Sequence, residues 1–175
     1  MQTSPIMSME RFTAGKASDL RLRLSQCNRL FSTSMAFAID ASTEFGQRAD
    51  RRLRDQLMGW LVTVSPAGAP LPVPVWFLWD GATSLLIYSR PDTAKLRNIA
   101  ANPRVAMHLD GDGKGGDIVI VSGRAHVSDD PPADRIDEYV AKYRERIGAG
   151  GWTPASFAAD YAVPIRVELT RISGH

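Results

Sequence analysis

Between Gly59 and Ser89 the chain passes through three short apolar segments, "GWLVTVS", "LPVPVWFLW" and "SLLIYS", separated only by "PAGAP" and "DGAT". Connections this short join antiparallel strands, because a parallel pair needs a crossover of a dozen or more residues. The middle segment tightens the constraint. Pro72 and Pro74 stand at alternate positions, so their missing N–H groups fall on one side of the strand. Trp76 N–H points the same way and is left free to donate. A central strand does not tolerate two such gaps, so this side is a sheet edge, a bulge, or a face turned toward something other than protein. An edge protected against aggregation by proline and an edge that faces a ligand both satisfy the pattern.

The surrounding sequence supplies the remaining elements. "ASTEFGQRADRRLRDQLM" offers Ser42 or Thr43 as a helix cap, followed by Phe45, Ala49, Leu53 and Leu57 at i, i+4 spacing. A second helix opens at Ala94 and stops before Asn102-Pro103. "RVAMHLD" and "DIVIVSGRAHV" read as strands around a "GDGKGG" loop. "ADRIDEYVAKYRERI" predicts one helix with Ile136, Tyr139, Val140, Tyr143 and Ile147 on one face. Pro154 starts a short helix, and "PIRVELTRI" alternates as a last strand. Hairpin-linked strands with brief helical excursions predict a mainly β chain, an antiparallel barrel of six or more strands with peripheral helices. No Gly-rich turn joins a strand to a helix, which excludes a Rossmann reading.

Bulk properties narrow the function classes. The 175 residues suffice for one domain, expected over residues 41–175, after an N-terminal stretch of residues 1–40 expected to be disordered. Within that stretch residues 1–34 show no sustained period, and Met35 is the expected working start. A net charge of +2 gives no basis for nucleic-acid binding. One cysteine, Cys27, cannot build a disulfide framework and fits a cytoplasmic protein. No apolar run is long enough to span a bilayer. His108, His126 and His175 lack metal-ligand spacing, so no metal site is expected.

The stretch "YSRPDTAKLRNIAANPR", Tyr88 to Arg104, carries the clearest chemical signal. Asp92 or Thr93 is placed to cap the helix that follows. Helix N-termini carry partial positive charge and disfavour cations, yet Arg90, Lys95 and Arg97 surround this one. An anion resolves the conflict, because free backbone N–H groups, a capping hydroxyl and nearby cations converge on a phosphate. Ser89, Arg90, Thr93 and Lys95 are the candidate cluster. Simple solvation of the cations is the competing reading.

Three segments, "PVPVWFLWDG", "YSRPDTAKLRNIAANPRVAMHLDGDGKGGDI" and "VPIRVELTRISGH", together resemble the pyridoxamine 5′-phosphate oxidase-like FMN-binding split barrels, and more narrowly their branch of F420-dependent oxidoreductases. The resemblance runs from about Thr43 to His175. It implies a homodimer with cofactor clefts at the interface. It further implies a deazaflavin or flavin ring along Pro72–Phe77, with Pro74, Val75, Trp76 and Phe77 contacting it largely through backbone. It places the cofactor phosphate at Ser89 and Lys95, with Arg90 a weaker third, and Trp152 reaching the cleft from the partner chain. "RVELTRISGH" does not reproduce the C-terminal Arg/His motif of pyridoxamine 5′-phosphate oxidase, so that substrate is not expected.

The resulting expectation is hydride transfer between coenzyme F420 and a small, planar, unsaturated acceptor. Arg97, Arg104 and Lys114 are candidates for the cofactor's acidic tail, and Tyr88, His108 and His126 for a proton donor, with solvent as the alternative. Two other readings stand beside it: an FMN-dependent oxidoreductase on the same barrel, and a non-catalytic flavin-, deazaflavin- or haem-binding protein. Whether Val73, Val75, Phe77 and Trp79 or instead Trp76 and Leu78 face the cleft is open at this level.

Overall fold

The computed structural model describes residues 37–175. The expectations for residues 1–34, and all but the last few positions of the proposed 1–40 extension, lie outside the described residues. The described elements are α1 (Glu44–Asp55), β1 (Gly59–Val64), β2 (Pro70–Val75), β3 (Phe77–Trp79), β4 (Ser84–Ser89), α2 (Ala94–Ala101), β5 (Arg104–His108), β6 (Val119–Val127), a 3₁₀ turn (Ala133–Arg135), α3 (Asp137–Ala149), α4 (Pro154–Asp160) and β7 (Val163–Gly174).

All seven strands join one antiparallel sheet in the order β2-β1-β5-β6-β7-β4-β3. Its two end strands are one stretch of chain: β2 ends at Val75, β3 begins at Phe77, and only Trp76 lies between. The segment expected as a single strand is therefore split. Its first half pairs with β1 (Trp60 opposite Pro74) and its second with β4 (Leu78 opposite Leu86). The sheet curls because the same segment must meet both ends of the ladder.

Inside the curl lies the main core, where Leu61, Phe77, Leu85, Met107, Val121 and Ile165 are almost fully buried. At 25 cal/mol per Å² each such side chain contributes about 1.5–3 kcal/mol. Helix α1 closes one end with Ala49 and Leu53, capped as predicted by Thr43, whose hydroxyl accepts from Gly46 N–H at 3.0 Å. Opposite Ser122 and Gly123 the register skips Thr170, so β7 bulges against β6. There a Cβ on Gly123 would stand 2.3 Å from the Glu168 carbonyl oxygen, so only glycine permits the approach.

The second core lies outside the sheet. β4 is buried on both faces: Leu85 and Ile87 point into the barrel, while Leu86 and Tyr88 point out against α3 and α4. The helix expected over Ala133–Ile147 is interrupted at Ile136, whose extended backbone separates the 3₁₀ turn from α3. Tyr139, Tyr143 and Ile147 are its buried face, as the spacing predicted, while Val140 is only half-buried.

Candidate functional site

The prolines determine which edge of β2 is free. Pro70, Pro72 and Pro74 cannot donate, so the rungs to β1 are carried by Leu71, Val73 and Val75. Trp76 shares the prolines' parity, so its N–H points away from β1, toward the side on which Leu78 meets β4. No described residue accepts it. Phe77 has the opposite parity and would form the next rung to Leu57. Instead Tyr143 of α3 inserts its hydroxyl there. It accepts from Phe77 N–H at 2.7 Å and donates either to the Phe77 carbonyl at 2.7 Å or to the Leu57 carbonyl at 3.0 Å. The ladder to β1 stops at this hydroxyl and β3 departs to β4.

A crevice therefore opens between the free edge of β2 and the end of β4, and it leads into a cavity of about 170 Å³. The walls are Pro74, Val75 and Trp76 on one side, Tyr88 and Lys95 on another, and Tyr139, Trp152, Phe157 and Tyr161 from α3, α4 and their connection. Lys95 stands at the start of α2, which is held in place by Asn98 and Ile99. Asn98 Nδ2 donates to Thr63 Oγ1 at 3.0 Å, both groups buried.

The three cations around this helix start have three different partners. Lys95 Nζ donates to Ser89 Oγ at 3.0 Å, and Ser89 is fully buried. No carboxylate of a described residue pairs with Lys95, and burial alone pushes its pKa below the usual lysine value. Arg90 instead pairs with Asp160 at 3.4 Å and lies over the Tyr161 ring. Arg97 donates to the Asp92 carbonyl at 2.7 Å, bracing a residue held at a left-handed φ of 59°. Only Lys95 lines the cavity. Thr93 is the N-cap residue but makes no capping bond; its hydroxyl lies 3.0 Å from Ser89 Oγ. The first helical amides, Ala94 and Lys95, thus keep free donors beside a lysine and two hydroxyls.

The other candidates are placed as follows. Val75 and Phe77 point into the barrel core and can offer a ligand only backbone. Trp76 points outward, and its indole stacks with Tyr143 at 4.9 Å and with Phe157 at 5.3 Å. Trp152, expected from a partner chain, lines the cavity of its own chain and donates from Nε1 to Asp160 at 2.9 Å. Tyr88 donates its hydroxyl to the Pro131 carbonyl, and burial pushes its pKa up to about 12. His108 stacks on Trp60 outside the barrel, His126 is exposed on β6, and neither lines the cavity. Arg104 and Lys114 are exposed on β5 and on the loop before β6. Among the described residues no His, Cys, Asp and Glu cluster suits a metal ion, and no helix is long and apolar enough to cross a membrane.

Tyr139, Phe157 and Tyr161 carry no site assignment from the sequence. Two helical i, i+4 aromatic pairs, Tyr139/Tyr143 and Phe157/Tyr161, are the signal available there, and it is indistinguishable from packing until α3 and α4 meet.

Comparison with known proteins bears on the family and the fold. A family model described as pyridoxamine 5′-phosphate oxidase matches residues 45–174. No curated protein matches the chain. A solved F420 reductase is 31% identical, with a TM-score of 0.53, over 71% of this chain and 94% of its own. A conserved hypothetical protein from Mycobacterium tuberculosis, Rv2991, has the same fold at 22% identity and TM-score 0.55, over 74% of this chain and 82% of its own. An FAD-binding protein from Mesorhizobium loti is 20% identical with TM-score 0.53, over 72% and 88% respectively.

Proposed function

We propose, from the premise that this chain belongs to the pyridoxamine 5′-phosphate oxidase family, that it is an F420-dependent reductase acting on a small, planar, unsaturated organic acceptor. The observation that carries this reading is the unpaired, half-buried Lys95 beside Ser89, Thr93 and the free amides of α2, facing the free edge of β2. The 31% identity to an F420 reductase favours the deazaflavin over FMN.

The chain's own groups fit such a cofactor. Lys95, Ser89 and the amides of Ala94 and Lys95 would hold its phosphate, since charge-assisted bonds from a desolvated ammonium and fixed N–H groups favour a phosphate oxyanion. Pro74 and Val75 provide a flat backbone wall, and Trp76 N–H supplies a donor aimed across the crevice. When bound, F420 supplies a two-electron hydride equivalent. The aromatic walls keep water from the reacting face, and the Tyr88 hydroxyl, bonded to Pro131 and hard to ionise, does not serve as an acid. The proton that completes reduction comes from solvent at the mouth of the crevice. Arg90 is a structural brace in this reading, and Arg97, Arg104 and Lys114 remain outlying contacts for an acidic tail.

We further infer a homodimer. β2 leaves Pro70, Leu71, Pro72 and Pro74 exposed along the rim of the crevice, with Leu71 at 40%. Light scattering on the purified chain tests that inference, and a monomer at all concentrations refutes it.

The decisive experiment titrates the apoprotein separately with F420 and FMN, following the fluorescence of Trp76 and Trp152. Micromolar F420 binding that weakens in Lys95→Ala, followed by turnover of an acceptor, supports the reductase. Tighter FMN binding moves the chain to flavin chemistry. Binding without turnover of any acceptor leaves a carrier rather than an enzyme, and binding of neither removes the phosphate site.

A further inference from the structure

The crevice as it stands does not admit a flavin or deazaflavin ring system. Its cavity is about 170 Å³, close to the roughly 150 Å³ in which a dry, apolar protein cavity holds a single benzene ring. Three fused rings need more, so part of the wall must move before they enter. The walls are not equally free to do so. Pro74, Val75 and Trp76 are fixed by the strands on either side, and Tyr88, Tyr139 and Phe157 are buried. Tyr161 stacks on the Phe157 ring at 4.6 Å and carries the Arg90 guanidinium at 5.1 Å. Trp152 is held less firmly. It is half-buried and meets Phe157 and Tyr161 edge-on, with centroids 6.0 Å away. Its indole makes one hydrogen bond, from Nε1 to the exposed Asp160 at 2.9 Å.

A second observation is independent of the cavity's size. Gly150 follows α3 with φ −79° and ψ 0°, a backbone that residues with side chains adopt. A Cβ there would nevertheless stand 2.3 Å from Trp152 Cζ3 and 2.5 Å from Cε3. This glycine therefore serves the indole, which rests on bare backbone. Gly151, at φ 80°, serves the chain reversal instead. The loop is open on its outer side, since a Cβ on Gly148 or Gly151 would meet nothing within 4 Å. Trp152 N–H stays bonded to the Ile147 carbonyl at 3.0 Å, which confines any movement to the side chain.

We propose that Trp152 is a gate on the crevice: its indole, resting on Gly150 and latched to Asp160, closes the cavity and swings out to admit the cofactor ring. The proposal rests on the reading of this crevice as the cofactor's, but its first test does not. Arg90 pairs with the same Asp160 oxygen at 3.4 Å and so steadies the latch. The closed position is the one the structure holds. Only the fraction of molecules with the indole out takes up the cofactor, which slows binding by that fraction.

Fluorine NMR of the cofactor-free protein labelled with 5-fluorotryptophan reads the gate directly. Of the four tryptophan signals, that of Trp152 is the one lost in Trp152→Phe. In the wild type it is expected to show microsecond-to-millisecond exchange broadening. Gly150→Ala puts a methyl where the indole rests, and Asp160→Ala removes the latch. In both, the Trp152 signal is expected to move toward the shift of free 5-fluorotryptophan. Stopped-flow mixing with F420 then gives the association rate constant. It is expected to rise roughly three- to tenfold in both variants, the worth of one latching hydrogen bond. A Trp152 signal without exchange in the wild type, one that stays put in both variants, or an unchanged association rate where the signal has moved each overturns the proposal. Binding of neither F420 nor FMN by any of these proteins would sink the reductase reading instead. Exchange at Trp152 would then still mark a gated crevice, and its absence would overturn the gate as well.

Discussion

Tyr143 Oη lies 2.7 Å from both the amide nitrogen and the carbonyl oxygen of Phe77, at the point where the β1–β2 ladder would otherwise continue. One hydroxyl from a peripheral helix thus ends one strand and begins the next. Tyr143→Phe keeps the ring in the stack but strands two buried backbone groups, each costing about 1–3 kcal/mol. The expected loss is about 2–4 kcal/mol in urea denaturation, with F420 affinity falling as well because the free edge of β2 loses its anchor. A loss under about 1 kcal/mol would mean that water replaces the hydroxyl.

Lys95 is predicted to exchange stability for binding. Its ammonium is desolvated without a carboxylate partner, so Lys95→Met is expected to raise the melting temperature while weakening F420 by roughly 10- to 100-fold, the range of a charge-assisted bond. Thermal denaturation and fluorescence titration on the same preparations check both halves. A variant that is both less stable and unchanged in affinity contradicts the assignment.

Lys142 offers a pH test remote from the cavity. It lies over the Phe77 ring at 4.4 Å and donates to the Leu53 carbonyl, and burial pulls its pKa from 10.5 to about 8. The folded state therefore binds this proton less tightly than the unfolded chain. Its contribution to stability is fully present above pH 10.5 and is lost as the pH falls through 8. Relative to Lys142→Met, the wild type is expected to gain stability between pH 7 and pH 10. Urea midpoints for both proteins at the two pH values measure the difference, and a flat difference refutes the shift.

Asn98 and Thr63 form the buried bond that seats α2 over the crevice. Asn98→Ala should cost about 1–3 kcal/mol and lower F420 affinity through displacement of Lys95. Adding Thr63→Val should cost less than it does alone, because the stranded hydroxyl is then gone. A double-mutant cycle by denaturation reads the coupling, and strict additivity would show that the two groups do not depend on each other.

Arg90 separates the competing views of the cation cluster. Its exposed pair with Asp160 and its place over Tyr161 make it a brace for α4. Arg90→Ala is expected to change F420 affinity less than threefold, since exposed ion pairs contribute roughly 0–1 kcal/mol. A loss as large as that in Lys95→Ala would return Arg90 to the phosphate site.

Much of this molecule was legible without coordinates, and for identifiable reasons. The alternating prolines of "LPVPV" left one side of that segment short of donors whatever surrounded it, because a missing N–H is a property of the residue. Turn chemistry and strand spacing implied antiparallel pairing, and the i, i+4 apolar positions of α1 and α3 located their buried faces. Ser89, Thr93 and Lys95 were recognisable together because they are local, within seven residues of one another along the chain.

What escaped the sequence depends on distances across the fold. Nothing local says that Arg90 meets Asp160, that Trp152 returns to its own chain's cavity, or that "PVWFLW" breaks at Trp76. That break is set by Tyr143, 66 residues away from Phe77. The antiparallel hairpins, the starts of α1, α2 and α4 and the missing donors of β2 follow from backbone chemistry and residue type, which the sequence by itself determines. The side facing the crevice and the partners of each cation follow from packing, where groups far apart in the chain compete for the same neighbours, and only the tertiary structure decides that competition.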